Sequence, residues 1–224
     1  MSMAGTPLDL QILNTLAAVL LLLSFSMLAQ RRIVTLVNLL ATQGAVLFLA
    51  TLLLAWRTGE GHLYLSAGLT LALKVIALPW LLHRLIRRLG VYWDTEPLLN
   101  TPSTMLIGLL VVIFAFGLAQ PISALASTAT RSTIGIAIAV ILLSFLTMIT
   151  RRKAMSQVVG FLSMENGLFF GAMSTTYGMP MVVELGVALD VLVAMLVLGV
   201  FFFQIREQFD SLDLHHLESL REDE

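Results

Sequence analysis

Ionisable side chains stand inside three runs of this sequence that are otherwise apolar enough to lie in lipid. The stretch VVGFLSMENGLFFGAM carries Glu165 beside Asn166, while Lys74 and Asp190 lie in the runs LALKVIAL and VALDVLVA. A charge at the centre of a bilayer costs about 2.5–3.5 kcal/mol on insertion scales, so such residues are rare and usually functional. Because acids and amines load and release protons, these residues predict transfer of protons, or of another ion, through a membrane.

The depth of each residue orders the candidates for this path. With a rise of 1.5 Å per residue, Glu165 lies roughly 17 Å along its helix from Lys153, near the middle of the membrane. Lys74 is similarly central in its run, and Asp190 lies closer to the outer side of the membrane. Glu165, Asp190 and Lys74 are therefore the primary candidates, as successive stations of a relay.

Three further residues are secondary candidates. Glu184 is expected near the interface, where water can solvate its carboxylate. The amides of Gln43 and Asn166 could hold water molecules in the path, but an amide does not titrate and cannot carry a proton by itself. Na⁺ is an alternative cargo, because carboxylates bind it too.

A static interpretation of the same residues stays open. Lys74 could pair with Glu165 or Asp190 and hold helices together as buried polar glue. Each group could also be paired by a neighbouring subunit. The default for ionisable residues inside a membrane is function, which favours the relay.

The elements that position these residues follow from composition and hydropathy. Of 224 residues, 58% are hydrophobic and 12% are charged, far from the quarter charged of soluble proteins, and the mean hydropathy is +0.93, so the chain is of the membrane class. A hydrocarbon core of about 30 Å needs roughly 20 apolar residues per helix. The sequence predicts an all-α, polytopic membrane protein with about seven transmembrane helices, in runs 8–30, 33–55, 62–85, 103–120, 132–150, 154–173 and 182–205.

The placement of basic residues supports seven crossings. Of 13 Lys and Arg, a seven-span arrangement puts ten on one side: Arg31, Arg32, Arg84, Arg87, Arg88, Arg151, Arg152, Lys153, Arg206 and Arg221. By the positive-inside rule the N-terminus is outside and the C-terminus cytoplasmic. Run 103–120 is the shortest, and a re-entrant loop there would leave six crossings. That alternative puts basic loops on opposite sides. Turns are expected at 57–61, 94–97, 120–121 and 178–180.

An internal repeat relates the two ends of the membrane part. Leu22-Leu-Ser-Phe25 followed by Arg31-Arg32 matches Leu142-Leu-Ser-Phe145 followed by Arg151-Arg152, at an offset of 120. A two-residue shift then aligns Gln43 with Glu165. Further on, Leu71-Ala-Leu-Lys-Val75 resembles Val187-Ala-Leu-Asp-Val191, which sets Lys74 against Asp190. Runs one to three would thus repeat runs five to seven in parallel, although chance similarity among Leu-rich helices is the alternative.

Several kinds of chemistry find no support in the residues. The chain has no cysteine, which excludes thiol chemistry and iron–sulfur ligation by its own residues. Its four histidines lack metal-site spacing, and there is no basic block for nucleic acid. We therefore expect no cofactor, no metal and no catalytic residue in this chain.

One family carries a similar pattern of residues. Gly160-Phe161, the motif Met164-Glu165-Asn166-Gly167, the segment Glu184-Leu-Gly-Val-Ala-Leu-Asp190 and a tail with Leu217 and Leu220 resemble the membrane protein component E of hydrogenase-4 and formate hydrogenlyase-type complexes. That component is similar to the K subunit of respiratory complex I and the C subunit of Mrp-type antiporters. Leu73-Lys-Val75 and Leu78-Pro79 resemble the N-terminal extension of the hydrogenase type.

The resemblance implies a domain plan and a set of site residues. Residues 1–100 would form a three-helix membrane segment, 101–131 a connector helix, 132–205 a K-like core and 206–224 a cytoplasmic tail. The family's two membrane carboxylates on consecutive helices would be Glu165 and Asp190. Asp190 stands where complex I usually has Glu, one methylene longer, which puts the relay geometry there in doubt.

The resemblance also implies partners and a location. The chain would be a non-catalytic subunit in a bacterial or archaeal cytoplasmic membrane, beside antiporter-like membrane subunits, a peripheral redox arm and lipid. A purely structural anchor that joins its neighbours is the alternative function.

Overall fold

The computed structural model describes residues 7–59, 61–89, 99–124 and 128–176, together with the single positions 186, 192 and 199. Every regular element within these ranges is helical. In chain order they are α1 (Pro7–Ala29), α2 (Ile33–Thr58), α3 (Gly61–Thr70), a π-helical segment (Leu71–Ala77), α4 (Leu78–Leu89), α5 (Thr101–Ala124), α6 (Thr128–Thr150) and α7 (Ala154–Thr176).

Length and composition make this a polytopic membrane protein. Five described stretches are long and apolar enough to cross a bilayer: Leu8–Ala29, Ile33–Thr58, Gly61–Arg88, Thr101–Pro121 and Thr133–Thr150. The sixth predicted run is α7, which has 23 residues but includes Gln157, Glu165 and Asn166 and is therefore less apolar. The prediction of an all-α polytopic membrane protein is confirmed. Run 182–205, apart from its three single positions, and the tail 206–224 lie outside the described residues.

The connector run forms a full helix. α5 continues without a break over 24 residues, which gives about 36 Å and matches a crossing rather than a re-entrant loop. The turn predicted at Gln120-Pro121 is wrong, because the helix passes through Pro121 and ends at Ala124. A proline inside a helix lacks the N–H that would bond to the carbonyl four residues earlier, and its ring crowds that carbonyl. In α5 the proline falls in the last turn, three residues before the helix ends.

The turn between α2 and α3 forms where the glycines predicted it. Gly59 has a φ of +71°, in the left-handed region, and its N–H donates to the carbonyl oxygen of Ala55 at 2.9 Å. Glycine adopts this conformation without the steric penalty that a Cβ brings, so α2 ends here.

The helices in the described part of the chain pack together as a bundle. α1 packs on α6 and α2 packs on α7, while α5 lies against α1 and α6, and the α3–π–α4 helix lies against α2. Away from the core, α5 presents Leu106, Leu110, Ile113 and Phe114 on its outer face, each more than half exposed. Such a face is typical of a helix that contacts lipid.

Two apolar clusters divide the core along the helix axes. The first apolar cluster lies towards the end that bears Arg31 and Arg151: Met27, Ile33, Leu36, Val37, Leu40, Leu78, Leu82, Leu85, Ile86, Met155, Val159 and Leu162. The second apolar cluster lies towards the other end: Ala17, Leu20, Val46, Leu47, Ala50, Ile136, Ala137, Val140, Phe169, Phe170 and Met173. On α1, α2 and α7 the buried side chains between these clusters are polar. The polar layer consists of Ser24, Gln43, Lys74, Ser144, Ser163, Glu165 and Asn166.

Candidate functional site

The centre of the polar layer is an ion pair between α7 and the third long helix, which comprises α3, the π-helical segment and α4. Lys74 Nζ donates to Glu165 Oε1 at 2.7 Å, and the two side chains are only 3% and 1% exposed. Glu165 lies near the middle of α7. A charge-assisted hydrogen bond of this length, sheltered from water, is among the stronger polar contacts that a protein makes.

A chain of hydrogen bonds runs from Lys74 through three helices. Lys74 Nζ donates to Asn166 Oδ1 at 3.1 Å, Asn166 Nδ2 donates to Gln43 Oε1 at 3.3 Å, and Gln43 Nε2 donates to Ser24 Oγ at 2.8 Å. Ser24 Oγ in turn donates to the Leu20 carbonyl oxygen at 3.0 Å. Every donor therefore points away from Lys74. The oxygen ends of the dipoles face the ammonium group and stabilise its charge.

An aromatic ring adds to this stabilisation. Nζ of Lys74 lies 5.7 Å from the centroid of the Phe169 ring. A cation within about 6 Å of a ring face is attracted by its quadrupole, more strongly where water is excluded. The ammonium group thus meets a carboxylate, an amide oxygen and a ring.

The backbone that carries Lys74 is not an ordinary α-helix. Residues Leu71–Ala77 form a π-helical turn, in which the N–H of Leu78 donates to the Leu73 carbonyl oxygen five residues back. Pro79 follows at once. Its ring would meet the carbonyl of Val75, four residues earlier, in a regular α-helix, and the wider turn avoids that clash. The π turn and the proline together set where Lys74 leaves the helix.

The apolar clusters on either side of the polar layer restrict what the site can do. Towards the basic end, Leu40 and Leu162 of the first cluster lie on the same helices as Gln43 and Glu165; towards the other end, Val46 and Phe169 follow them. Within the described bundle, hydrogen bonds continue from the ion pair sideways through the layer. The described polar contacts of the pair therefore run between helices, across the bundle, rather than along the helix axes.

Four of the predicted residues meet in this layer, and two cannot be placed. Lys74, Glu165, Asn166 and Gln43 lie in one hydrogen-bonded group. Asp190 and Glu184 lie outside the described residues, so their part in the path stays a prediction. Among the described residues no group of three or more His, Asp or Glu is placed to hold a metal ion.

Sequence reasoning did not single out Ser24 as a site residue. The residue stands in the repeated Leu-Leu-Ser-Phe motif, and the structure pairs Ser24 with Gln43 as it pairs Ser144 with Ser163, 19 residues apart in both cases. Both members of the second pair follow those of the first by 120. The contacts therefore align Gln43 with Ser163, without the two-residue shift that would align it with Glu165.

An arginine secures the end of the bundle nearest the first apolar cluster. Arg151, 4% exposed, donates from Nη2 to the carbonyl oxygens of Met27 and Leu28 at 3.2 and 3.0 Å. These carbonyls belong to the last turn of α1, where a helix leaves acceptors without intrahelical partners. Arg151 thereby ties the α6–α7 turn to α1.

Comparison with known proteins identifies relatives over most of the chain. It is 37% identical over 204 residues to the Mycobacterium tuberculosis protein described as uncharacterized protein Rv0085, a match that covers 91% of this chain and 93% of that protein. It is 26% identical over 186 residues to hydrogenase-4 component E of Escherichia coli K12, which covers 83% of this chain and 81% of that protein. The same figures hold for hydrogenase-4 component E of Shigella flexneri.

No protein-family model matches the chain, and no solved structure gives a significant match. The further resemblance to the K subunit of complex I and the C subunit of Mrp-type antiporters is not tested by these matches and stays a prediction. The chain belongs to one family with the mycobacterial protein, and its homology to hydrogenase-4 component E confirms the family predicted from the sequence.

Proposed function

We propose that this chain is an integral membrane subunit of a hydrogenase-4-like or complex I-like assembly, and that its polar layer takes part in moving protons, or another cation, in the membrane. The observation that carries the proposal is the Lys74–Glu165 pair, 2.7 Å apart and buried between two apolar clusters. Homology to hydrogenase-4 component E supports the assembly.

The energetic argument starts from the cost of the pair. Replacing a buried ion pair by well-packed apolar residues is often neutral or stabilising, by about 1–4 kcal/mol. Stability alone therefore does not account for a lysine and a glutamate in the middle of a bundle. A role that needs titratable groups accounts for both, because each can exist with or without its proton.

The proposed step is an exchange of partners around Lys74. When a proton reaches Glu165, the carboxylate is neutralised and the ammonium loses its counter-charge, so Lys74 is driven to another acceptor. Asp190, the second predicted carboxylate, would be that acceptor. Asn166, Gln43 and Ser24 orient the groups and hold water without titrating.

The direction of transfer follows from the packing. The apolar clusters on both sides of the pair oppose movement of charge along the helix axes. The amides and the hydroxyl that extend from Lys74 across α7, α2 and α1 fix the position of the lysine and do not carry the charge themselves. We therefore propose that charge moves in the membrane plane, towards or from an antiporter-like neighbour. A peripheral redox arm would supply the driving reaction, and this chain itself would be non-catalytic and without a cofactor.

The proposed location is a bacterial or archaeal cytoplasmic membrane, with the N-terminus outside. Short turns with Arg31, Arg32, Arg151, Arg152 and Lys153 join helices at one end of the bundle. Arg57 and Asp9 meet at 3.7 Å at the other end. The excess of positive charge at the first end supports a cytoplasmic placement.

A second candidate function has an observation of its own. Lys74 and Glu165 satisfy each other directly, as they would in a static anchor that joins α7 to the third long helix and holds the assembly together. Under that function, loss of the pair lowers the amount of assembled complex and leaves transport per complex unchanged.

The test compares transport per assembled complex in inverted membrane vesicles. Glu165→Gln keeps the size of the side chain and removes its charge, and we expect less than about a tenth of wild-type cation uptake per complex, because a general acid–base group contributes roughly 10²–10⁴-fold. Uptake of H⁺ is followed with a pH-sensitive dye and uptake of Na⁺ with a radioactive isotope. The abundance of the complex is measured in the same vesicles, so that uptake is expressed per complex.

The matched control is Asp9→Asn, which removes a carboxylate at the end of the bundle, away from the polar layer. The double variant Lys74→Met with Glu165→Gln removes both charges, so it is expected to assemble well and to remain inactive. Cation uptake per complex at the wild-type level in Glu165→Gln would contradict a role of this pair in transport and would favour the static anchor.

A further inference from the structure

We propose that Gly44 is a positioning residue for Lys74. Because Gly44 has no side chain, the backbone of α2 can approach the backbone of Lys74 closely, and the lysine side chain can then reach α7. This inference builds on the proposed role of the ion pair. A Cβ at position 44 would lie 3.0 Å from the backbone oxygen of Lys74 and 3.1 Å from both its backbone carbon and its Cβ. Contacts that close force a neighbour to move, and here two of the three atoms are backbone.

Gly44 lies within the polar layer, where its close contact with Lys74 can affect the Lys74–Glu165 hydrogen bond. Gly44 is buried and follows Gln43, which accepts a hydrogen bond from Asn166, the neighbour of Glu165. The α2 backbone therefore contacts the backbone and Cβ of Lys74 close to Glu165, which the ammonium group of Lys74 binds. A displacement of the Lys74 backbone by a few tenths of an ångström would also displace Nζ relative to Glu165 Oε1, to which it donates at 2.7 Å.

The π turn makes the close approach specific to this pair of helices. The wide turn Leu71–Ala77 moves the Lys74 carbonyl out of the regular α-helical pattern, and the next residues include Pro79, which has no N–H to donate to it. That carbonyl lies directly over Gly44. Gly44 thus makes room for a bulge in the helix that is itself set by Pro79.

A nearby glycine shows that the need is local. Gly68 lies in the same α3–π–α4 helix as Lys74, and no heavy atom comes within 4 Å of the Cβ that it lacks. Gly68→Ala is therefore the matched control for Gly44→Ala: the same methyl group is added to a helical glycine, in open space.

The experiment measures the heat-induced unfolding midpoint of the full-length chain in its assembly, for each glycine variant alone and combined with Glu165→Gln. Overpacking at position 44 is expected to lower the midpoint by roughly 2–8 °C, while Gly68→Ala does not lower it. If Gly44 acts through the ion pair, the two substitutions are not additive. The midpoint of the combined Gly44→Ala and Glu165→Gln variant is then lowered by less than the sum of the two single shifts, and the difference is at least about 2 °C. Additive shifts would mean ordinary packing and would overturn the inference.

A second measurement reads the geometry even where Gly44→Ala lowers the yield. The chain has no cysteine, so Lys74→Cys with Glu165→Cys gives two unique thiols, to be bridged in native membranes by a short bifunctional thiol reagent. We expect Gly44→Ala to slow bridging about threefold or more, and Gly68→Ala to leave the rate unchanged. Equal rates in both would overturn the inference. Neither measurement depends on transport, so failure of the proposed function would leave them readable.

Discussion

Lys74 and Glu165 stand 91 residues apart in the chain and meet at 2.7 Å in the centre of the bundle. They are flanked by apolar clusters on both sides along the helix axes. This isolation favours the ion pair while both charges are present and makes the loss of either charge expensive. The pair is therefore held by two charges that each depend on the other.

The first prediction concerns the stability of this pair. Lys74→Met or Glu165→Gln alone should destabilise the chain by about 3–5 kcal/mol, because each leaves the other charge buried without its partner. The double variant should recover most of that loss. Thermal unfolding of the purified assembly checks both statements; a double variant as unstable as the two single losses added together would contradict them.

The second prediction concerns Ser24, which ends the hydrogen-bond chain on α1. Ser24→Ala should cost about 1–3 kcal/mol, because the buried Gln43 amide loses its acceptor at 2.8 Å. Ser26→Ala is the control: its hydroxyl lies on the same helix and bonds only to the Leu22 carbonyl oxygen among the described residues. Chemical denaturation compares the two variants, and equal losses would argue against a special role for Ser24.

The third prediction concerns the contact of α7 with α6. A Cβ at Gly167 would lie 2.8 Å from Val140 Cγ1 and 3.3 Å from the Ile141 backbone nitrogen. Gly167→Ala should destabilise by about 1–3 kcal/mol, since the helices cannot move apart without disturbing the polar layer.

Gly117→Ala is the matched control for Gly167→Ala, because nothing lies within 4 Å of the Cβ that Gly117 lacks. Alanine in an open helical position should leave stability unchanged or raise it by about 0.4–1 kcal/mol. Thermal midpoints distinguish the two variants. A loss at position 117 as large as that at 167 would show that glycine itself, rather than close packing, is required in these helices.

The fourth prediction concerns Arg151. Arg151→Gln removes the donors to the Met27 and Leu28 carbonyl oxygens, and it should lower stability by about 1.5–3 kcal/mol, the range for hydrogen bonds to charged groups. Arg88→Gln removes the same charge from an exposed position, where we expect a change within about 0.5 kcal/mol. Limited proteolysis of the α1–α2 turn should be faster in Arg151→Gln than in Arg88→Gln. Equal rates in the two variants would contradict a stabilising role of Arg151 at the end of α1.

Much of the fold could be predicted because hydropathy is a local property. The apolar runs predicted for α1, α2 and the third long helix begin and end within a few residues of the observed helices, which is the usual uncertainty of helix ends. Pro121 was misplaced for the same local reason: a Gln-Pro pair is typical of a turn, but near its end a helix continues through a proline.

The repeat shows how far pattern reasoning reaches within the site. The shared Leu-Leu-Ser-Phe motif is visible in the sequence, yet the choice between two alignments of the next helix is not. The equivalent pairs Ser24–Gln43 and Ser144–Ser163 make that choice, because a hydrogen bond between helices depends on their rotation about their axes.

The sequence by itself determined that this chain is a helical membrane protein and that Glu165, Lys74 and Asp190 are ionisable residues inside its apolar runs, because the cost of a charge in lipid depends on residue type and depth. Tertiary structure decided that Lys74 binds Glu165 and Asn166, that Gln43 and Ser24 continue the network, and that a glycine in α2 makes room for the lysine. These facts depend on helix rotation, on a π turn and on contacts between residues far apart in the chain. No local pattern contains that information, because it arises only when the helices pack.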